Sequence, residues 1–203
     1  MTGRRIGDRL LVATHNRGKL EEIAHLLEPF GVSVTGAAEL DLPVPEETET
    51  SFAGNARLKA EAAARATGLP ALADDSGLEV EALNGAPGVY TADWAETPQG
   101  RDFDMAMTRV WNELETRAAA EPRRARFCCT LALAWPDGSC EIFEGHVAGR
   151  IVWPMRGMQG HGYDPIFQPD GHAQTFGEMD RWDKNHISHR ARAFEKFVAE
   201  CFG

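Results

Sequence analysis

The stretch that decides the fold is residues 10–27, LLVATHNRGKLEEIAHLL. Four apolar residues, 10–13, are followed by a polar turn, 14–18. Beyond the turn, apolar side chains recur at the 3.6-residue spacing of one helix face: Leu20, Ile23, Ala24 and Leu27. The pattern predicts a strand, a tight turn and a helix, which is how α/β folds are built.

The same alternation continues along the next fifty residues. Residues 32–34 predict a short strand, and residues 42–50 form a loop rich in Pro and Glu. Ser51 is a candidate N-cap for an Ala-rich helix over 52–67, which Gly68 and Pro70 terminate. Residues 71–73 then predict a buried strand that runs into Asp74 and Asp75, so we expect these acidic residues at a strand end.

The last half of the chain predicts further helices and a hairpin. Asp102 is a candidate cap for a helix to about residue 119, and the β-type runs 126–135 and 141–152 are joined by a turn, PDGS. A Gly-rich stretch over 157–162 precedes a final helix over 188–201. We therefore predict an α/β fold, a mixed twisted sheet with flanking helices, in a single domain over residues 1–203.

Composition excludes several classes of protein. The chain has 203 residues, of which 43% are hydrophobic and 26% charged, so it is neither disordered nor collagenous. Its formal net charge of −10 disfavours binding to a nucleic acid polymer. No uncharged apolar run approaches the ~18 residues of a membrane helix. Four cysteines without CxxC spacing predict reduced thiols, and we expect a cytoplasmic protein.

The first candidate site is the turn between the first strand and helix. Backbone N–H groups at a helix N-terminus, with Lys19 beside them, are suited to binding a phosphate. The segment lacks the spacing of a Walker loop, and half or more of such turns are plain N-caps. On its own this signal is weak.

Adjacent carboxylates at the edge of the core form the second candidate site. Asp74 and Asp75 repel one another unless a cation or a proton neutralises them. Mg²⁺ prefers hard oxygen ligands, and Glu46 and Glu47 in the acidic loop are available to complete its coordination. The alternative is an Asx-turn with a solvated neighbour.

The third candidate site combines the Gly-rich stretch with a group of cations. Tyr163 and His161 are placed to stack on or hydrogen-bond a base, although Tyr163 is equally compatible with a core position. Lys184, His189 and Arg190 cluster around the start of the final helix, where cations oppose the helix dipole unless an anion lies between them. Together the sites match a nucleoside triphosphate with Mg²⁺.

Six ordered segments resemble the inosine/xanthosine triphosphate pyrophosphatases, enzymes that remove aberrant purine nucleotides. The resemblance covers nearly the whole chain. Its motifs are ATHNRGK at 13–19, SFAGNARLKA at 51–60, ADDSGL at 73–78, GAPGVY at 85–90, GYDPIF at 162–167, and Lys184 with ISHR at 187–190.

The resemblance implies a fold, a reaction and roles for individual residues. It implies an elongated two-lobed fold with a central cleft, a homodimer, and Mg²⁺-dependent hydrolysis of ITP, dITP or XTP to the monophosphate and pyrophosphate. Asp75 matches the proton acceptor, assisted by Lys59, and metal coordination falls to the pairs Glu46–Glu47 and Asp74–Asp75. The residues matched to substrate contacts are Thr14, His15, Asn16, Arg17, Gly18, Lys19, Ser76, His161, Gly162, Tyr163, Asp164, Lys184, His189 and Arg190.

Three positions depart from the family pattern. His161 stands where an aromatic residue usually stacks on the base, Gly54 replaces a Glu, and Asp93 replaces an Arg. These departures leave two other functions open: a related pyrophosphatase acting on modified pyrimidine nucleotides, and a nucleotide-binding protein without turnover.

Overall fold

A six-stranded mixed sheet forms the centre of the fold. The computed structural model describes residues 6–15 and 17–203, so the predicted contact Asn16 lies outside the described residues. The strands are β1 (Arg9–Val12), β2 (Ser33–Gly36), β3 (Ala71–Val80), β6 (Arg124–Ala134), β7 (Cys140–Ile151) and β8 (Phe167–Pro169), in the order β2-β1-β3-β6-β7-β8. The short strands β4 (Glu96–Thr97) and β5 (Gly100–Arg101) pair separately. The predicted mixed α/β class is confirmed.

The order of strands β2, β1 and β3 creates a switch point, where the connections between strands run in opposite directions along the sheet. β1 is parallel to both β2 and β3 and lies between them. Helix α1 (Arg17–Leu27) connects β1 to β2, and helix α2 (Phe52–Thr67) returns to β3. Because such crossovers are right-handed, connections that run in opposite directions place their helices on opposite faces of the sheet. Ligands of open α/β sheets bind at this kind of switch point, beyond the carboxyl ends of the strands.

Helix α2 begins and ends where its sequence predicts. The Ser51 side chain accepts a hydrogen bond from the Gly54 N–H at 3.1 Å, and Gly68 terminates the helix in the left-handed conformation, with φ of 69°. Its alanines pack against small strand residues in a core cluster of Leu11, Ala56, Ala60, Ala63, Ala64, Ala71, Ala73, Ala132 and Ala134. Side chains without length beyond Cβ allow this helix to lie close to the sheet.

The later elements follow the prediction with two differences. The hairpin of β6 and β7 turns through residues 135–139, where the Trp135 N–H donates to Ser139 O at 2.9 Å. Helix α3 (Phe103–Thr116) is capped by Asp102 but ends three residues earlier than predicted. The C-terminal helix is preceded by a separate helix α4 (Arg181–Ile187), and α5 (His189–Phe202) begins after Ser188.

The described chain divides into two compact units. The first consists of the residues up to Asp75 together with Thr130–Glu144 and Ala193–Gly203, and the second of Ser76–Cys129 and Gly145–Arg192. The first unit has the Ala-rich cluster, and the second has its own core, which includes Leu78, Met107, Val110, Phe127 and Phe176. No helix among the described residues combines the length and the apolar character needed to cross a bilayer.

Candidate active site

The turn after β1 leads directly into the first turn of α1, as predicted. Arg17, Gly18 and Lys19 form that first helical turn, so their backbone N–H groups lie at the positive end of the helix dipole. Thr14 is half-buried, and His15 is exposed and donates from Nε2 to the Leu42 carbonyl at 2.8 Å. Five of the predicted phosphate contacts therefore lie on one short segment: Thr14, His15, Gly18, Lys19 and the exposed Arg17.

The placement of the two aspartates corrects the sequence prediction. Asp74 and Asp75 lie in the middle of β3, a continuous ten-residue strand, and not at a strand end. Successive strand residues point to opposite faces of a sheet. Asp74 accepts a hydrogen bond from Lys19 of α1 at 2.7 Å, whereas Asp75 contacts α2. The expected repulsion is relieved by this separation and by a lysine for each carboxylate, so the pair does not require a shared cation.

Asp75 is buried within reach of two residues of α2. The side-chain amide of Asn55 donates to Asp75 Oδ2 at 3.2 Å, and Lys59 Nζ lies 3.8 Å from Oδ1. Asn55 and Lys59 are four residues apart, so they occupy the same face of the helix. The carboxylate is therefore oriented by a neutral donor at one oxygen and faces an ammonium group at the other.

The acidic loop of residues 42–50 is attached to the same helix face. Lys59 Nζ donates to Glu47 Oε1 at 2.6 Å, and the Glu49 N–H donates to Asn55 Oδ1 at 3.0 Å. Glu46 is exposed. Glu47 and Asp75, which come from a loop and a strand, thus converge on one ammonium group.

The structure gives a physical reason for glycine at position 54. A Cβ at Gly54 would lie 2.7 Å from Glu49 Cβ and 2.9 Å from its Cγ, distances that real Cβ atoms do not show. The Glu49 side chain therefore occupies the space that a side chain at position 54 would need. Glycine here allows the acidic loop to lie against the first turn of α2. No comparable reason is evident for the exposed Asp93.

The donor set around Lys59 fits a hard divalent cation. No group of three or more His, Cys, Asp or Glu residues is arranged as a metal site in residues 6–15 and 17–203. Mg²⁺ usually takes only one or two protein carboxylates and completes its shell with water and substrate phosphates. Glu47 and Asp75 meet that requirement, whereas Asp74 points to the other face and is paired with Lys19.

Asp164 organises the Gly-rich segment of the second unit. Its carboxylate is 2% exposed, and Oδ2 accepts from Lys184 Nζ and, at 2.6 Å, from the His161 N–H. Gly160 has φ of 82°, and a Cβ there would lie 2.1 Å from Asp164 Oδ2. Close approach of the loop to this carboxylate thus requires glycine. The ion pair between the buried Asp164 and the half-buried Lys184 holds residues 160–164, and the His161 side chain is exposed.

Tyr163 lies in the core of the second unit. The sequence had left open either a core position or a contact with a base. It is 1% exposed, its hydroxyl donates to the Thr91 carbonyl at 2.9 Å, and its ring meets Phe103 edge-on at 5.8 Å. Burial raises the pKa of the Tyr163 phenol well above its usual value. Tyr163 thus occupies the core position in this structure, with its hydroxyl bonded to Thr91 and its ring packed against Phe103, and its contact with a base stays a prediction.

The remaining predicted contacts lie at the start of α5 and within β3. His189 and Arg190 are the first two residues of α5, where the Ser188 hydroxyl accepts from the Ala191 N–H at 3.1 Å. The buried His189 ring lies parallel to Phe127 at 5.0 Å, and Arg190 is half-buried. Gly162 has φ of 65° and adjoins Tyr163, and Ser76 is half-buried in β3 after Asp75. Lys184 lies in α4 and not at the start of the final helix.

Sequence reasoning missed Asn55 as a member of the site. Its motif was recognised, but no role was assigned to the side chain. The signal available was spacing, because residue 55 precedes Lys59 by one helical turn.

A groove of about 560 Å³ runs along α3 and includes no predicted site residue. It is lined by that helix and its cap: Asp102, Asp104, Met105, Thr108, Arg109, Asn112, Glu113 and Thr116.

Comparison with known proteins gives consistent matches over the chain. The model of the Ham1 family matches residues 10–200. A dITP/XTP pyrophosphatase of Ruegeria pomeroyi is 69% identical over 197 residues, which cover 97% of this chain and 97% of the relative. A dITP/XTP pyrophosphatase of Rhodospirillum centenum is 59% identical over 196 residues, with 97% and 96% covered.

Solved structures give the same result for the fold. A HAM1 protein from Coxiella burnetii superposes with a TM-score of 0.89 at 38% identity, covering 94% of this chain and 96% of that one. The Ham1 protein of Staphylococcus aureus superposes with a TM-score of 0.85 at 35% identity, with the same coverage.

Proposed function

Because this chain belongs to the Ham1 family, we infer that it is a dITP/XTP pyrophosphatase, an enzyme that removes noncanonical purine nucleotides from the nucleotide pool. We propose ITP, dITP and XTP as substrates, and the nucleoside monophosphate and pyrophosphate as products. The observation that carries the proposal is the pair of lysine and aspartate contacts, Lys19 with Asp74 and Lys59 with Asp75, beyond the switch point of β1 and β3.

These residues are suited to hydrolysis of a phosphoanhydride. Attack by water on phosphorus needs charge neutralisation and positioning more than covalent chemistry. Lys19 and the N–H groups at the start of α1 would bind phosphate oxygens, and the ammonium of Lys59 would stabilise negative charge that develops in the transition state. Asp75, oriented by Asn55, would accept the proton of the attacking water.

Mg²⁺ is part of the proposal. Glu47 and Asp75 would hold it; of the other members of the two predicted pairs, Glu46 is exposed on the same loop and Asp74 lies on the other face of β3, paired with Lys19. When bound, the ion supplies charge neutralisation for the phosphate oxygens and for the water nucleophile. The ammonium of Lys59, now beside Glu47 and Asp75, would then be available to contact phosphate oxygens.

The second unit is proposed to recognise the base and the sugar. His161 is exposed on a loop held by Asp164, and His189 and Arg190 lie in the first turn of α5. A site whose buried donors pair with a 6-oxo group discriminates against adenine, because a donor left unpaired costs about 1–3 kcal/mol. Tyr163, Asp164 and Lys184 would support this site by fixing the loop.

The remaining properties follow from the family resemblance. We propose a homodimer located in the cytoplasm, in which residues 1–203 act as one domain with the two-lobed, clefted architecture expected from the sequence. The four cysteines, Cys128, Cys129, Cys140 and Cys201, have no CxxC spacing, and this supports the proposed reducing compartment.

The proposed function is tested by analysis of products. The purified protein is incubated with Mg²⁺ and, separately, with ITP, dITP, XTP, ATP, GTP and UTP, and the monophosphate, diphosphate, pyrophosphate and phosphate are resolved. We expect monophosphate and pyrophosphate from the first three, with ATP and GTP nearly unchanged. Release of orthophosphate, or a preference for UTP, would contradict the proposal.

A further inference from the structure

We propose that Asn55 is a positioning residue that fixes the Asp75 carboxylate and the acidic loop relative to one another. The inference rests on the proposed function, since it concerns how the proposed proton acceptor is oriented. Asn55 is 2% exposed and is the fourth residue of α2, where its side chain reaches both β3 and the loop.

The chemistry of its partners determines the orientation of the Asn55 amide. The Glu49 N–H is a donor, so at 3.0 Å it must meet the amide oxygen. The amide NH₂ therefore faces Asp75 Oδ2 at 3.2 Å, where an acceptor is present. A flipped amide would place a donor against a donor and an acceptor against a carboxylate, so the assignment does not depend on distinguishing N from O.

This arrangement determines which Asp75 oxygen faces Lys59. With Oδ2 engaged by Asn55, rotation of the carboxylate is restricted, and Oδ1 is directed to Lys59 Nζ at 3.8 Å. Lys59 in turn binds Glu47, two residues before the backbone group that Asn55 binds. One face of α2 thus attaches the loop at two points and orients the carboxylate between them.

Gly54 contributes to the same arrangement of Asn55 and the acidic loop. The Glu49 side chain lies where a side chain at position 54 would project, which brings the Glu49 N–H within reach of Asn55. Asn55 therefore acts through Asp75 and the loop, and it has no direct part in the chemistry.

The variant Asn55→Asp keeps one of the two hydrogen bonds of this side chain and removes the other. Aspartate is nearly isosteric and still accepts from the Glu49 N–H, but it offers Asp75 a carboxylate instead of a donor. We expect kcat for dITP to fall on the order of 100-fold, the cost of a misplaced catalytic group, with KM nearly unchanged because Lys19 is not affected. In an Asp75→Asn background the same substitution should have almost no further effect, since both changes act on one group.

Ser51→Ala is the matched control. It removes the N-cap of the same helix and lowers its stability but does not contact Asp75. We expect a lower Tm with an unchanged kcat, the opposite of Asn55→Asp. A wild-type kcat for Asn55→Asp, or an equal loss of rate in the Asp75→Asn background, would overturn the inference.

A readout that does not need turnover keeps this test separate from the proposed function. In the unaltered protein the side-chain amide protons of Asn55 should exchange slowly by NMR, and in Asp75→Ala they should exchange faster. Equal exchange in the two proteins would overturn the inference. Failure of the proposed function would appear differently, as an absence of dITP turnover by the unaltered protein.

Discussion

Asp75 in the first unit and Asp164 in the second are both buried, and each lies near a lysine, but their surroundings differ. Asp164 accepts from the Lys184 ammonium and from a backbone N–H, both at Oδ2. Asp75 accepts from a neutral amide, and its lysine is 3.8 Å away and hydrogen-bonded to Glu47. The first arrangement fixes a loop, whereas the proposed function requires the ammonium of the second to contact a ligand. The residue types alone do not separate a structural pair from a reactive one.

The largest effect is expected from a change at Asp75, the proposed proton acceptor. Asp75→Asn keeps the size of the side chain and removes its basicity, so kcat for dITP should fall ~100- to 10,000-fold while the protein remains folded. Steady-state rates and a thermal melt measure both properties. A well-folded Asp75→Asn protein with wild-type turnover would remove Asp75 from the mechanism.

Replacing Lys184 or Lys59 with methionine compares how much each lysine contributes to the free energy of unfolding. Lys184→Met leaves the buried Asp164 carboxylate without its cation and should lower the free energy of unfolding by about 3–5 kcal/mol. Lys59→Met removes a cation that is hydrogen-bonded to the exposed Glu47 and lies 3.8 Å from the buried Asp75, a longer and weaker contact, so it should cost less stability than Lys184→Met, but it should lower kcat. Urea unfolding of the two variants decides the matter, and equal losses of stability would show that the two lysines play the same role.

A smaller effect is expected from Gly54→Ala. The added Cβ displaces Glu49 and hence the acidic loop, while alanine favours the helix, so the net change in stability should stay within about 1 kcal/mol. We expect kcat to fall severalfold. Adding Glu49→Gly removes the clash and should restore the rate; if it does not, the contact between Gly54 and Glu49 has no role in placing the loop.

The smallest effect is confined to alkaline pH. Burial raises the pKa of Tyr163, and burial followed by the charges of Glu141 and Glu200 raises the pKa of Cys201 to about 12. Both groups ionise at lower pH in the unfolded chain, so the stability they contribute is complete below about pH 9 and is lost as pH rises towards 12. Unfolding measured from pH 8 to 11 should show this decline, with a shallower slope in Tyr163→Phe. An identical slope would contradict the burial of this hydroxyl.

Local patterns predicted the fold well, because they are determined within one element. The strand, turn and helix of residues 10–27, the capped helix after Ser51 and the hairpin at 136–139 all occur in the structure. The helix α4 was missed because it has only seven residues and none of them is buried, so its sequence carries no apolar periodicity, and the predicted helix began at Ser188.

The site was harder to predict, because tertiary contacts decide what its residues do. Asp74 and Asp75 are adjacent in sequence, but the strand directs them to helices on opposite faces. Tyr163 could be assigned to the core only once its hydroxyl was seen to bond Thr91. Asn55 acquires its role from two partners, one 6 and one 20 residues away along the chain.

The most direct test measures kcat for dITP and the free energy of unfolding in Asp75→Asn and Asp164→Asn side by side, each under conditions in which it is folded. We expect Asp75→Asn to lose rate and keep its stability, and Asp164→Asn to lose several kcal/mol of stability because its ion pair with Lys184 is broken. If both variants lose rate and stability in the same proportion, the distinction between a reactive and a structural aspartate is contradicted.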